Sequence, residues 1–246
     1  MNNRVAVVLA AGKGTRMESE LPKVLVEVCG RPMIDYVLDS LSEAGVGRIV
    51  VVVGYRAELV REALAGRANV AFVEQTEQLG TGHAVMVCRE ELAGHEGPVL
   101  VVTGDSPMIQ ASSIAKLLDL MDRESPACIL GTAVKDDPGS LGRVVRDSGG
   151  KFLRIVEAKD ATPEELAIGE VNMSTYLFDG PQLLHALARI DNNNSQGEYY
   201  VTDCPGILRA EGKDVRALDA LAPCESLSVN TVDDLAQVEA AMRQQQ

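Results

Sequence analysis

Tryptophan is absent from the chain, aromatic residues make up only 3% of it, and no long apolar run occurs. The first hydrophobic stretch, Val5 to Ala11, is about seven residues, too short for a membrane span and without a signal-peptide cleavage pattern. A soluble, cytoplasmic chain with no membrane partner is the expectation that follows. Paired cysteines are missing as well. The five cysteines, Cys29, Cys88, Cys128, Cys204 and Cys224, are scattered and never spaced as CxxC. That argues against a disulfide framework or a zinc site and for buried, reduced thiols. Basic residues are in deficit: 23 Lys and Arg face 36 Asp and Glu, a formal net charge of −13. A general nucleic-acid surface selects for basic patches, so no nucleic-acid partner is expected. A small anionic ligand stays compatible with this balance, because a pocket can be locally positive on an acidic protein. Internal repeats and low-complexity linkers do not occur.

What is present is the material of a globular domain. The 246 residues are 46% hydrophobic, enough to bury a substantial core. Short, continuous, β-branched runs at Val5–Leu9, Ile49–Val53, Val70–Val73 and Val99–Val102 have the pattern of strands covered on both faces. Amphipathic stretches lie between and after them: Met33–Ala44, Ala57–Leu64, Ala84–Leu92 and Ile114–Met121. Alternating strand and helix implies a mostly parallel α/β sheet with right-handed crossovers. The second half reads as strands at Ala127–Val134, Arg143–Arg146, Lys151–Val156 and Val171–Phe178. A hairpin is expected at Asp147-Ser148-Gly149-Gly150, and helices return at Pro181–Arg189, Val201–Glu211 and Val232–Arg243. One domain over 1–246 is expected, with a nucleotide-type front half (about 1–110) and a mixed-sheet back half (about 111–246).

The first strand runs straight into Leu9-Ala10-Ala11-Gly12-Lys13-Gly14-Thr15-Arg16-Met17. Small residues let backbone N–H groups approach and cradle a phosphate, while Lys13 and Arg16 add positive charge. The position also fits, since α/β sheets bind ligands beyond the carboxyl ends of their strands. The dinucleotide fingerprint fails, because Met17 stands where its third glycine belongs, and the Walker A pattern is absent. Pro22-Lys23-Val24-Leu25 follows within ten residues, and Gly30-Arg31-Pro32-Met33 leads into a helix. Together these strings closely resemble the signature of the sugar-nucleotide pyrophosphorylases.

That resemblance implies a glycine-rich loop (Leu9, Ala10, Ala11, Gly12, Gly14, Thr15) around a triphosphate, with Arg16 and Lys23, assisted by Lys13, on its phosphates. Further strings match in order. Gln75 through Gly80-Thr81-Gly82-His83-Ala84 resembles the Q-x₄-GTxHA loop of UDP-N-acetylglucosamine pyrophosphorylases, where Gln75, Gly80 and Thr81 would recognise uracil. An amide donates and accepts at once, which suits an imide edge; the plainer alternative is a helix entry capped by Thr81. His83 reads as structural. Thr103-Gly104-Asp105 resembles the family's metal-binding GD motif, and Asn230 in Ser228-Val229-Asn230 its second Mg²⁺ ligand, although alone Asn230 reads as an N-cap. For the sugar the resemblance points to Thr103, Gly104, Gly142, Glu157 and Asn172. Gln196–Asp203 resembles the family's QGEYYLTD string. Departures cluster near the expected sugar pocket: Leu141, Met173-Ser174 and Thr103 replace the usual Tyr, Thr-Gly and Tyr.

The resemblance therefore implies a Rossmann-like, mixed but mostly parallel sheet flanked by helices, of the nucleotide-diphospho-sugar transferase type. It implies a Mg²⁺-dependent uridylyltransferase with UTP and a sugar-1-phosphate, best N-acetylglucosamine-1-phosphate, as partners. A monomer or weak homo-oligomer is expected. The hexapeptide-repeat β-helix of the bifunctional bacterial enzymes has no counterpart in this sequence, so a stand-alone enzyme and an excised domain are both compatible with it. Competing readings are a cytidylyltransferase, a catalytically silent nucleotide-sugar sensor, and, weakest, a dinucleotide-dependent dehydrogenase.

Overall fold

The computed structural model describes residues 3–17 and 19–245. Met1, Asn2, Glu18 and Gln246, all within the expected 1–246 unit, lie outside them. The chain forms, in order, β1 (Val5–Ala10), β2 (Glu27–Val28), β3 (Arg31–Pro32), α1 (Met33–Glu43), β4 (Arg48–Val53), α2 (Ala57–Ala63), β5 (Val70–Glu74), α3 (Thr81–Met86), β6 (Pro98–Thr103) and α4 (Ala111–Glu124). The back half adds β7 (Cys128–Val134), β8 (Arg143–Arg146), β9 (Phe152–Val156), α5 (Pro163–Leu166), β10 (Glu170–Asp179), α6 (Gly180–Leu187), α7 (Asp203–Ala210), β11 (Val215–Asp219) and α8 (Val232–Gln245).

The main sheet is nine-stranded with the order β11-β7-β10-β6-β1-β4-β5, and β8 and β9 extend it from β10. Pairings β1–β4, β1–β6, β4–β5 and β7–β11 are parallel, while β10 runs antiparallel to both β6 and β7. The expected mixed, mostly parallel sheet flanked by helices is what forms. The reason is visible residue by residue. Along β1, Ala6, Val8 and Ala10 enter one core with Leu38, Val60 and Leu117, whereas Val5 and Val7 enter the other with Val85, Leu183 and Leu208. β4 and β6 split their side chains the same way. Both faces are covered along the middle of these strands, so the positions there are apolar, and each such side chain contributes about 1.5–3 kcal/mol on burial.

A third, smaller cluster (Met17, Val28, Met33, Met108, Val229, Val238) anchors the C-terminal segment beneath the glycine-rich loop. The Cys29 backbone N–H donates to Glu239 Oε1 at 3.0 Å, docking α8 on the β2–β3 hairpin. This docking returns Asn230 to the carboxyl edge of β1 and β6. Cys88, Cys128 and Cys204 are buried as expected, but Cys29 and Cys224 are only partly so. Among the described residues no helix is long and apolar enough to cross a membrane.

Candidate active site

Strands β1 and β6 end side by side, and the residue after β6 still bonds to β1: the Gly104 N–H donates to the Leu9 carbonyl at 2.9 Å. The glycine-rich turn is held by backbone contacts. Tyr55 N–H donates to the Ala11 carbonyl at 3.1 Å, and Gln78 Nε2 donates to the same oxygen at 2.9 Å. Gly14 adopts φ +67°, and a Cβ there would lie 2.8 Å from the Lys23 Cβ. Glycine at 14 therefore lets the lysine stem lie across the loop, which links the two halves of the LAAGKGTRM…PKVL signature.

Lys23 Nζ donates to Asp105 Oδ2 and, at 2.7 Å, to Asn230 Oδ1. The Val229 N–H donates to the Asp105 carbonyl at 3.1 Å, so backbone as well as side chain joins the two segments. Asn230 is not the N-cap of α8. Thr231 Oγ1 accepts from the Asp234 N–H at 3.2 Å, and Asp234 Oδ2 accepts from the N–H groups of Thr231 and Asn230. With the cap supplied by Thr231, the Asn230 amide is free for Lys23. The expectation that Thr81 caps α3 fails too: Gly80 is the N-cap, and Thr81 Oγ1 instead accepts from the Val201 N–H at 3.2 Å.

Whether this point fits Mg²⁺ can be judged from its donors. Asp105 and Asn230 converge two oxygen atoms on one cation, the Lys23 ammonium, which stands where a hard metal ion would be held. Among the described residues no group of three or more His, Cys, Asp or Glu forms a dedicated cage. One carboxylate and one amide oxygen suit a Mg²⁺ that takes its other ligands from water and substrate phosphates.

A cavity of about 290 Å³ opens at this edge. Ten of the sequence-derived positions line it: Leu9, Ala10, Ala11, Gly12, Lys23, Gln75, Gly80, Thr81, Thr103 and Asp105. Gly14 and Thr15 stand in the same loop but outside its lining, and Lys13 and Arg16 are exposed there. Lys13 Nζ lies over the Tyr55 ring, 5.2 Å from its centre. The far wall is built by the Gln196–Asp203 string. Gly82 N–H donates to the Tyr199 carbonyl at 2.7 Å, and Tyr199 N–H donates to the Leu79 carbonyl at 2.8 Å. Gly80 has φ +106°, and a Cβ there would sit 2.5 Å from the Tyr199 oxygen. Gly80→Ala is expected to destabilise the fold by about 1–3 kcal/mol, measured by thermal melts, through strain and displacement of this wall.

The remaining sugar candidates form a second group. Glu157 Oε1 accepts from Thr202 Oγ1 at 2.9 Å, and a Cβ on Gly142 would lie 3.5 Å from Glu157 Oε2. The Gly142 carbonyl accepts from the Asn172 N–H at 2.9 Å, and Asn172 Nδ2 donates to Tyr176 Oη at 2.6 Å. Burial pushes the Glu157 carboxyl above its ordinary range, partly offset by the Thr202 hydroxyl. Thr202 and Tyr176 are the hydrogen-bond partners of Glu157 and Asn172 that sequence reasoning passed over; only the match of the QGEYYLTD string pointed near the first. A cavity of about 180 Å³ is lined by Thr103, Asp105 and Asn230 together with Leu141, Met173 and Ser174, but not by Gly142, Glu157, Asn172, Tyr176 or Thr202. The positions that depart from the family pattern, Thr103, Leu141, Met173 and Ser174, thus share one cavity with Asp105 and Asn230.

Asp203 opens α7 beside Thr202. Burial first, then Asp191, Glu157 and Asp160, raise its carboxyl to about 6, outweighing the helix N-terminus, which favours the charge. A carboxyl raised on folding contributes stability that is complete below its ordinary 3.8 and lost as pH rises through about 6. Asp203→Asn is therefore expected to stabilise the fold at about pH 7.5 by on the order of 1 kcal/mol after discounting for solvent screening, and so to raise the melting temperature. Thermal melts across pH should show that gain vanish on acidification below the ordinary carboxylate range.

A twisted α/β sheet with a small-residue loop, a lysine and a carboxylate at its carboxyl edge defines a nucleotidyltransferase-type protein. The chain belongs to the MobA-like NTP transferase domain family, whose model matches residues 6–196. It is 46% identical over 243 residues to the bifunctional protein GlmU of Shouchella clausii (strain KSM-K16), covering 99% of this chain and 53% of that protein. It is 45% identical over 230 residues to the bifunctional protein GlmU of Enterococcus faecalis (strain ATCC 700802 / V583), covering 94% and 50%. The chain spans about half the length of the curated relatives it matches. A crystal structure of UDP-glucose pyrophosphorylase complexed with UDP-glucose superposes with a TM-score of 0.79 at 16% identity, covering 99% of both chains. At that identity the likeness speaks to the fold alone.

Proposed function

We propose that the chain is a uridylyltransferase that condenses UTP with a sugar-1-phosphate, N-acetylglucosamine-1-phosphate foremost, and releases pyrophosphate. The observation that carries this reading is the convergence of Asp105 and Asn230 on Lys23, with Lys23 and Asp105 lining the cavity that the glycine-rich loop, Gln75, Gly80 and Thr81 also line. A sugar-phosphate oxygen attacks the α-phosphorus of UTP. One P–O bond forms, the bond to the β-phosphate oxygen breaks, and pyrophosphate leaves with the electron pair. The nucleophile is already anionic, so no side chain has to remove a proton. Alignment and charge neutralisation are the whole task. The loop from Leu9 to Thr15 cradles the triphosphate, Gln75, Gly80 and Thr81 receive the base, and Arg16, Lys13 and Lys23 meet phosphate charge. Thr103, Gly104, Gly142, Glu157 and Asn172 face the sugar. Bound Mg²⁺ would neutralise phosphate oxygens, and Asp105 and Asn230 are the residues that would hold it.

In this reading residues 1–246 act as one transfer domain, about 1–110 for the nucleotide and about 111–246 for the sugar, in a cytoplasmic monomer or weak homo-oligomer. The test is Mg²⁺-dependent pyrophosphate release with UTP, CTP, dTTP and ATP, each against N-acetylglucosamine-1-phosphate, glucose-1-phosphate and N-acetylgalactosamine-1-phosphate. Release with UTP and N-acetylglucosamine-1-phosphate above all other pairs is expected. Release with CTP alone would make the chain a cytidylyltransferase. Silence with every pair, beside measurable UDP-sugar binding, would make it a sensor.

A further inference from the structure

The wall of the nucleotide cavity holds one contact that the transfer chemistry does not use. Gln75, at 4% exposure, follows β5, and its side-chain Nε2 lies 3.1 Å from the Gly80 carbonyl oxygen and 3.1 Å from His83 Nδ1. A carbonyl oxygen can only accept, so the Gln75 atom facing Gly80 is the amide nitrogen, whichever way the amide is drawn. Its second hydrogen then points to His83 Nδ1, which must offer its lone pair and carry the ring proton on Nε2. Both donors of the amide are thus spent inside the protein. Oε1 has no hydrogen-bond partner among the described residues, and Gln75 lines the cavity beside Gly12, Gln78 and Thr81.

We infer that His83 is a specificity-determining positioning residue, which locks the Gln75 amide so that an acceptor oxygen, and not a donor, is presented to the base. An acceptor there complements the ring N–H of an imide base such as uracil. It opposes the bare ring nitrogen of cytosine, which is itself an acceptor. Reversing the amide would set Oε1 against the Gly80 carbonyl and require His83 to move its ring proton to Nδ1, so the two together hold the amide. Gly80 contributes a backbone atom and His83 a side chain one helical turn on, which is why the histidine can be tested by substitution. The inference rests on the nucleotide cavity proposed above and names the class of base that this cavity selects.

The test compares binding of UTP and CTP to wild type, His83→Leu and His83→Asn by calorimetry in Mg²⁺, with melting temperatures alongside. Leucine fills the space but accepts nothing; the asparagine oxygen can stand near the place of Nδ1. The UTP-to-CTP affinity ratio is expected to fall about tenfold in His83→Leu, chiefly through UTP, and to stay near wild type in His83→Asn. A readout that needs no variant is the imidazole ¹⁵N spectrum of the wild-type chain, which has only three histidines; His83 is expected to carry its proton on Nε2. Equal losses of UTP and CTP affinity in His83→Leu, or a proton on Nδ1, would overturn the role of His83 and leave the transfer reaction standing. A wild type that binds UTP and CTP alike would overturn the base assignment itself.

Discussion

Asp105→Ala is expected to lower turnover by at least about a hundredfold, and Lys23→Ala by a similar factor, with UTP affinity changing less than turnover. Asp105 Oδ2 and Asn230 Oδ1 meet at a single cation, the Lys23 ammonium. Alanine at 105 removes the carboxylate and leaves Asn230 as the remaining oxygen on that cation. Alanine at 23 leaves the two oxygens facing each other without the charge that joins them. In the proposed transfer each change strikes the point where negative charge accumulates, so the loss belongs in kcat. The double variant should lose less than the product of the single losses, because both residues serve one charge arrangement. Steady-state turnover with UTP and N-acetylglucosamine-1-phosphate, beside UTP binding, separates these outcomes. Near-wild-type turnover in either single variant would remove that residue from the mechanism.

Glu225→Ala should cost the most stability of any single change discussed here. Glu225 is a buried carboxylate in the turn before Asn230. Its Oε2 accepts from the Gln110 N–H at 2.9 Å, and its Oε1 accepts from Ser113 Oγ at 2.6 Å and from the Ala222 N–H at 2.7 Å. Alanine leaves three donors without their acceptor, the buried Ser113 hydroxyl and the part-buried Gln110 and Ala222 N–H groups, a loss of about 3 kcal/mol. For a domain of this size that corresponds to a fall in melting temperature of roughly 6–12 °C. Glu225→Gln, which keeps the shape and one acceptor oxygen, should lose clearly less. A melt within about 2 °C of wild type for the alanine variant would show that the turn does not depend on this carboxylate. Turnover should fall as well, since the same segment carries Asn230 and bonds to the Asp105 carbonyl through Val229.

Some of this was legible in the sequence for physical reasons. β1, β4 and β6 stand out because both of their faces are covered, which forces continuous apolar runs. The hairpin at Asp147–Gly150 forms as its turn residues suggest: Asp147 Oδ1 accepts from the Gly149 and Lys151 N–H groups, and Gly150 takes φ +77°. Helix α3 was placed poorly. The reading from Ala84 to Leu92 follows the buried row Val85, Cys88 and Leu92, whereas the helix begins at Thr81 and ends at Met86. Its start is set by Gly80 against Tyr199, a contact no local pattern reveals. β11 was missed because Arg216 and the terminal Asp219 interrupt the apolar pattern of a half-covered strand. α5 carries a usable local trace, the Thr162-Pro163-Glu164-Glu165 capping box, although no helix is expected there from the apolar pattern.

The site was legible as residue types and hidden as geometry. Strings such as PKVL and GTGHA mark which residues to watch, but only the fold brings Lys23 onto Gly14, or Thr202 onto Glu157. Asn230 shows why local rules mislead: its position before α8 suggests a cap, while its neighbour Thr231 does the capping and frees it for Lys23.

The most direct measurement is a ³¹P NMR spectrum of the chain incubated with Mg²⁺, UTP and N-acetylglucosamine-1-phosphate. The account requires the triphosphate and phosphomonoester signals to decline together, replaced in equal amounts by a UDP-sugar diphosphate and inorganic pyrophosphate. A spectrum that stays unchanged at high enzyme concentration, or one in which UTP is hydrolysed while the sugar phosphate persists, would contradict it.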